Sequence, residues 1–512
     1  MAERAFAIVR RNAPAWSAAG FVALFLLAPL AAVIWNADTI SGVLTRDWAT
    51  VRFTLVQAVL SACLSVILAI PVARALARRR FAGRKLLITL LGAPFILPVI
   101  VAVLGLLAVF GRSGVVNLLL GKLGLPPVSI YGLQGVVLAH VFFNLPLATR
   151  MILQGWQAIP AERFRLAASL GMSPWQVSKT LEGPMLRAVL PGAAMVIFAL
   201  CLSSFAVALT LGGGPRATTL ELAIYQAFHF NFDLGRAAML ALVQLGLAGG
   251  ATVLALLLAA PPGFGAGLDR LVRRWEGETM VLRVLDGAIL ALAAVFLLLP
   301  LSLIVINGVS GLAQVPGVVF EAAGVSVAMA LISTALTLTL AVALAQKGEI
   351  WGYLGLAISP MVIGTGLFLL TNPVINPTLL ALPVTAIVNA LMALPFAVRV
   401  LTPEMRAIEA DYGRLGDALG LRGWPRMRWL ILPRMRKSLG FSAGLTAALS
   451  MGDLGVVALF ASPDWATLPL QMYRLMGAYR MEAAAGAGLI LLGLSLALFW
   501  IFDRGGRVDV DA

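Results

Sequence analysis

The chain has 512 residues, of which 61% are hydrophobic and only 12% charged; its mean hydropathy is +0.96 and its formal net charge +15. A water-soluble domain carries roughly 25% charged residues, so most of this surface must meet lipid. The positive charge has no soluble domain to ride on, which argues against nucleic-acid binding and for membrane topology and contact with anionic lipid.

A spanning helix needs about 20 apolar residues, and twelve runs reach that length. They cover roughly 17–36, 54–77, 86–110, 133–150, 188–211, 237–260, 282–306, 324–345, 349–371, 378–399, 438–461 and 481–502. Spanning strands would be about ten residues of alternating character, which these are not. The fold class is therefore an all-α polytopic membrane protein of about twelve transmembrane helices.

An N-terminal segment with the first span (1–49) precedes a first half (50–260). A short charged linker (261–281) opens with Pro261-Pro262-Gly263. The seventh span and an external loop (282–320) then lead to a second half (321–502) and a tail (503–512). With the N-terminus inside, 30 of the 38 Lys and Arg fall on one side, which predicts that both termini are cytoplasmic. The basic N-terminus followed by an apolar run has the outline of a signal peptide. The run from Ser17 to Trp35 is long enough to span and lacks a small-residue cleavage site, so it is expected to stay as the first span. Cys63 and Cys201 lie inside spans and read as small packing residues.

The second half repeats the first. Pro146 and Arg150 recur as Pro395 and Arg399, Leu170-Gly171 as Leu419-Gly420, Trp175 as Trp424, Pro184 as Pro433 and Arg187 as Arg436, all at an offset of 249. Upstream, Thr54-Leu55 and Ala58 to Ser61 match Ser326-Val327 and Ala330 to Ser333 at an offset of 272. The difference of 23 residues falls on an external loop, Gly111 to Gly132 against a brief stretch at Thr371-Asn372-Pro373. Six spans per half return the chain to the side it came from, so the two six-helix repeats are parallel, about an axis along the membrane normal.

Within the repeat lies a polar, basic loop on the cytoplasmic side. Its copies run from Pro160 through Glu162, Arg163, Arg165, Ala167 and Gly171 to Trp175 and Pro184, and from Ile408 through Asp411, Arg414, Gly416 and Gly420 to Trp424 and Pro433. Each reads as a short helix stopped at a glycine. In both copies 13 positions separate that glycine from the proline. Ala167 and Gly416, just before the glycines, would let another surface approach closely.

This pattern resembles the Glu-Ala-Ala loop of the membrane subunits of binding-protein-dependent ABC importers. Gly171 and Gly420 match the motif's glycine and Pro184 and Pro433 its proline. Leu181 and Leu430 stand for its isoleucine, and Leu432 keeps a leucine that Gly183 lacks. Arg165 and Arg414 stand where the family has glutamate. The resemblance implies a type I importer permease whose two loops are coupling helices, seated on two copies of an ATP-hydrolysing partner. The Arg substitutions suggest salt bridges to acidic groove residues there.

The chain carries no Gly-x-x-x-x-Gly-Lys-Ser/Thr phosphate loop; Gly121-Lys122 is followed by Leu. With only His140 and His229, no metal-ligand spacing appears either. No cofactor is expected in this chain, and ATP with Mg would sit on the partners.

Span five is expected to end at Leu211-Gly212-Gly213-Gly214-Pro215 on the external face. From Ser203 to Gln226, and in Phe143-Asn144-Leu145-Pro146-Leu147-Ala148-Thr149-Arg150, the chain resembles the thiamine permease branch of that importer family. The likeness implies thiamine and its phosphate esters as cargo, a periplasmic thiamine-binding protein as delivery partner, and the bacterial inner membrane as location.

The residues alone reach only a small hydrophilic solute. Asp453 in span eleven and its repeat partner Ser204 in span five are candidates for the translocation path; Asp453 could equally cap a helix break near Gly452 and Gly455. His140 in span four is either a path group or a packing histidine. Gly213, Gly214 and Glu221 are candidates for external contact with the binding protein. A ferric-iron permease of the same layout is an alternative cargo reading. An ion-driven twelve-span carrier is an alternative class, although it would want more charges within spans than Asp453 supplies.

Overall fold

A computed structural model describes residues 2–37, 47–92, 96–212, 214, 217–258, 279–460 and 466–506, with backbone alone for 2–13, 377 and 378. Lipid offers no hydrogen bonds, so each backbone group must be satisfied within its own segment; the described residues are helical and contain no strand. Among the described residues, eleven helices are long and apolar enough to cross a membrane. A bent pair, Glu349–Leu356 with Pro360–Thr371 at 95°, makes up to twelve. They follow the expected order, with three differences.

The expected third span is two pieces, Arg84–Leu90 and Val99–Phe110, and the ninth is the bent pair. Proline causes both breaks, because it cannot donate to the turn before it: Pro98 and Pro360 stand at the starts of the later pieces. Spans five and eleven also stop short. Helix Gly183–Leu202 ends before Ser203-Ser204 and resumes as Phe205–Leu211; helix Arg436–Met451 ends before Gly452-Asp453-Leu454 and resumes as Gly455–Leu459. A further helix then follows in each half, Leu220–His229 and Leu468–Gly477. Most of the linker at 261–281, including Pro261-Pro262-Gly263, and the end of the tail at 507–512 lie outside the described residues.

The loops that follow Val99–Phe110 and Pro360–Thr371 differ, but they hold only part of the 23-residue difference: these two helices are already at an offset of 261, so the rest lies before Val99. After Phe110 the first half adds a helix, Val115–Lys122, and an extended return to Gly132. Asn117 holds the insertion closed: its Nδ2 donates to the carbonyls of Gly111 (2.8 Å) and Val128 (2.9 Å), and its Oδ1 accepts from Val128 N (2.8 Å). The second half turns within a few residues of Thr371.

The two halves interlock through their first spans. Span one (Pro14–Asn36) packs on spans eight and nine of the second half as well as on span six. Span seven (Met280–Gln314) packs on spans two and three of the first half as well as on span twelve. The buried cores show the same exchange. Leu290, Ala293 and Leu297 of span seven lie in the core of spans two to five, and Val22, Leu26 and Val33 of span one in the core of spans eight to twelve.

Each crossing depends on one glycine. A β-carbon on Gly366 would come within 2.3 Å of the Pro29 carbonyl oxygen. One on Gly105 would lie 2.7 Å from Ile304 Cδ1 and 2.8 Å from the Pro300 oxygen. Small residues let helices in lipid approach to backbone contact, where packing supplies the attraction.

Gly366→Val and Gly105→Val are expected to destabilise the folded protein by about 1–3 kcal/mol each through overpacking. Gly324→Val, where a β-carbon meets nothing within 4 Å, serves as the control. Thermal unfolding in detergent checks this; equal midpoints for all three variants would remove the interlock as a source of stability.

Candidate functional site

The repeated basic loop forms a handle of the same construction in both halves. In the first, span four ends at Ala158, Ile159-Pro160 intervenes, and a separate helix covers Ala161–Ser169. In the second there is no interruption: one helix runs Ala381–Ala418. Position 160 corresponds to Glu409, which, unlike proline, keeps the helical ladder intact, so the expected short helix is here the end of span ten.

Both helices finish alike. Gly171 (φ +63°) and Gly420 (φ +68°) adopt the left-handed conformation that glycine takes without steric penalty. The N–H of Met172 donates to Ala167 O (3.0 Å) and that of Gly171 to Ala168 O (3.1 Å). Leu421 and Gly420 repeat this with Gly416 O (2.9 Å) and Asp417 O (3.1 Å). These paired bonds are the Schellman closure of a helix C-terminus.

The returning segment of each handle contains one wide π-turn, at Ser178–Glu182 and Met427–Ile431, again 249 residues apart. Pro184 and Pro433 come just after and, having no N–H, donate nothing further to the wide ladder. The first return begins with a capping box: Ser173 Oγ accepts from Gln176 N (3.4 Å), while Ser173 N donates to Gln176 Oε1 (2.7 Å).

The outward faces match too. Arg165, Leu166, Leu170 and Trp175 are exposed on one handle; Arg414, Leu415, Leu419 and Trp424 are exposed on the other, the two tryptophans at 75% and 67%. Gly171, Gly420, Pro184 and Pro433 are exposed with them. Ala167 and Gly416 do not belong to this face. Ala167 is buried, and a β-carbon on Gly416 would stand 3.0 Å from Leu430 Cδ2. Their smallness lets the handle's own return segment close on the helix, not an outside surface.

Ionic contacts fix the first handle to the body and brace the second internally. Glu182, at the end of the first π-turn, is buried and receives Arg74 (2.8 Å), Arg78 (3.8 Å) and the indole N–H of Trp156 (3.2 Å). In the second handle Arg426 donates to both oxygens of Glu409 (3.2 and 2.5 Å) and to Asp417 (2.6 Å). The Glu409 carboxylate, seconded by Asp417, holds the Arg426 guanidinium above its ordinary pKa.

From each handle a single helix leads to a break at the same repeat position, Ser204 and Asp453. Ser204 is the N-cap of Phe205–Leu211. Asp453 Oδ1 accepts from Gly455 N (3.1 Å), so this carboxylate caps its break, while its Oδ2 is enclosed without a hydrogen-bond partner. The two breaks meet: a β-carbon on Gly455 would touch Phe205 of the first half at 3.7 Å and Met361 at 3.8 Å.

Beyond each break the next helix starts in the interior, where Thr54 and Ser326 of spans two and eight accept from Leu220 N (2.9 Å) and Leu468 N (2.8 Å). Tyr225 on the first of these helices packs edge-on against Phe205 and stacks on His229.

One expectation is corrected here, and for His140 the packing alternative holds. Glu221 does not face outward: it is buried in the first turn of Leu220–His229, where Gln244 Nε2 of span six donates to its Oε1 at 2.9 Å. The sequence hid this because Gln244 lies in another span. His140 is buried in the seam between spans two and four, its Nδ1 3.2 Å from Ser61 Oγ, and so packs within one half. Its repeat position is Asn389, which donates to Ser450 at 3.2 Å, and Ser450 in turn to Ser333 at 3.2 Å, so both halves place a polar knot there. Gly214 is exposed with φ +118°, while Gly213 lies outside the described residues.

Twin handles, each joined by one helix to a break at the centre of a duplicated bundle, define the permease subunit of an ABC importer. No protein-family model matches the chain. It is 41% identical to the thiamine transport system permease protein ThiP of Escherichia coli K12, over 97% of each chain. It is 39% identical to the ThiP protein of Brucella abortus strain 2308, over 91% of this chain and 89% of that one. The molybdenum transport system permease protein ModB of Azotobacter vinelandii is 30% identical over 35% of this chain and 79% of its own, a stretch shorter than one half. The chain belongs to the family of the thiamine transport system permease ThiP.

Replacing Gly171 or Gly420 by alanine is expected to cost about 1 kcal/mol locally, since a side chain resists the left-handed conformation. Hydrogen exchange should quicken at Gly171 and Met172, or at Gly420 and Leu421, with the spans unchanged; unaltered exchange would mean that the closure does not hold the handle.

Proposed function

We propose that this chain is the inner-membrane permease through which thiamine, with its phosphate esters, enters the cytoplasm. In this reading both termini are cytoplasmic and a periplasmic thiamine-binding protein delivers the solute. Two copies of an ATPase subunit, carrying the ATP and Mg, seat on the two handles; the chain itself needs no cofactor. The halves 50–260 and 321–502 work as the two arms.

The observation that carries this reading is the construction of the handles. Leu166, Leu170 and Trp175, with their counterparts Leu415, Leu419 and Trp424, stay in solvent although they are large and apolar, as a surface that awaits a partner does. The adjoining Arg165 and Arg414 suit an acidic groove. From each handle one helix, Gly183–Leu202 or Arg436–Met451, runs to the central break. The longer of them spans about 30 Å at 1.5 Å per residue, so drawing the handles together moves Ser204 and Asp453 directly.

The centre suits a flat organic cation. Asp453 offers an oxygen without a hydrogen-bond partner, and Phe205, which Tyr225 meets edge-on, sets an aromatic ring beside the same break.

Proteoliposomes holding the chain, an ATPase partner and the binding protein are expected to take up labelled thiamine. Vanadate should stop uptake and a protonophore should not; the reverse result would identify an ion-driven carrier. In the same vesicles Asp453→Asn should lower uptake about tenfold or more, equivalent to roughly 1.4 kcal/mol, while the ATPase remains bound. Full uptake by that variant would take Asp453 out of the path.

A further inference from the structure

We propose that Glu221 is a positioning residue for the translocation step: it ties the break of span five to the bend of span nine, and so passes movement of the first arm into the second half. Helix Gly183–Leu202 stops inside the bundle, and the last carbonyls of a helix have no partner within it. Two buried glutamines from neighbouring spans take them. Gln57 Nε2 donates to Cys201 O at 3.0 Å, and Gln244 Nε2 to Leu202 O at 2.9 Å. An amide nitrogen carries two donors, and Gln244 spends its second on Glu221 Oε1 at 2.9 Å. One side chain therefore joins the carboxylate to the end of the helix that comes from the first handle.

Span two holds the far side of the same break. Thr54 lies three residues before Gln57, on the same helix face. Its hydroxyl accepts from the N–H of Leu220, the residue before Glu221. Spans two and six thus frame both Cys201-Leu202 and Leu220-Glu221, and a shift of that frame carries Glu221 with it.

The second half meets the carboxylate there. Ser359, at the bend of span nine, is buried, and its Oγ accepts from Met361 N at 3.1 Å. Having used a lone pair in this way, the hydroxyl keeps its proton, and the carboxylate it faces is Glu221. Glu221 Oε2 is enclosed and takes no hydrogen bond from its own half; a buried carboxylate oxygen is costly to leave unmet. Two turns further on, Phe228 packs edge-on against Phe368 with ring centres 4.2 Å apart, which seats the whole helix Leu220–His229 on the later piece of span nine. Met361 in turn lies against Gly455, whose N–H is held by Asp453. The line from the first break to the second runs through Gln244, Glu221, Ser359 and Met361.

The test changes the first half and reads the second, with the full chain alone in nanodiscs. Glu221→Leu should quicken hydrogen exchange at Met361 by about tenfold, as the loss of one buried hydrogen bond does. Glu221→Gln keeps an oxygen for Gln244 and offers an amide N–H to Ser359, and should rescue the protection. Gln57→Leu disturbs the same break without touching Glu221 and should leave Met361 as it was. Glu221→Ala gives the same reading should Glu221→Leu fail to fold. Unchanged exchange at Met361 in the truncations, or equal quickening by Gln57→Leu, would overturn the link.

A second arm rests on the transport reading above. In vesicles with the ATPase partner and the binding protein, Glu221→Leu should lower thiamine uptake about tenfold at an unchanged half-saturating concentration of loaded binding protein, and Glu221→Gln should restore it. Loss of uptake in Glu221→Gln as well would mean that the charge acts on the solute, and would overturn the positioning role. Exchange at Met361 is read without solute or ATPase, so failure of the link and failure of the transport reading are distinguishable.

Discussion

A helix that stops inside a bilayer has no water to take its loose N–H groups. Every functional feature of this chain depends on how that constraint is met. Thr54 and Ser326, one hydroxyl in each half, accept from the first turns of the helices that begin in the interior at Leu220 and Leu468. Asp453 does the same for its own break through Gly455. Only because these starts are satisfied can spans five and eleven be interrupted where the halves meet, and an interrupted span is what gives a bundle a centre able to rearrange. The first spans complete the arrangement: each crosses to the opposite half through a glycine–proline contact, which ties the two arms into one body.

The duplication is not a copy in every detail. The first handle is a separate helix tied down by Glu182 to two arginines and a tryptophan of the body, while the second continues span ten and is tied by Arg426 to its own helix. The first is therefore anchored to spans two and four, and the second is stiffened internally. Glu221 and Gln244 add a buried polar pair to the first half, where the second has Leu470 and Gly493 at the same offset. Two arms sharing one lever geometry can thus carry different polar groups to the centre.

Much of this was legible in the sequence. Span number and order follow from hydropathy, because lipid tolerates little else, and the landmarks from Pro146 to Arg436 reveal the two halves. The glycines at 171 and 420 announce their helix ends, since few residues accept that backbone. Other features were not legible. The polar residue Glu221, after a glycine-rich turn, reads as external until span six brings Gln244 against it. The fixed distance from glycine to proline gives no hint that a π-turn lies within it. Thr54 and Ser326 align plainly as a repeat pair, but what their hydroxyls cap is 166 and 142 residues away. Likewise nothing local to Gly105 or Gly366 says that a span from the other half lies against it.

The wide turns at Ser178 and Met427 carry a further consequence. Each inserts one residue beyond the ordinary ladder, and everything downstream is rotated by roughly 100° relative to a regular helix. Because the insertion sits at the same register in both arms, Ser204 and Asp453 fall at equivalent breaks, each directly before the short helix that resumes the span. Losing a residue from one arm alone would turn its break toward a neighbouring helix. Length is free to drift outside the membrane, where the first half carries an extra helix, Val115–Lys122, between Gly111 and Gly132. Between Gly171 and Pro184 it is pinned, and descent with insertion and deletion would have to respect that boundary.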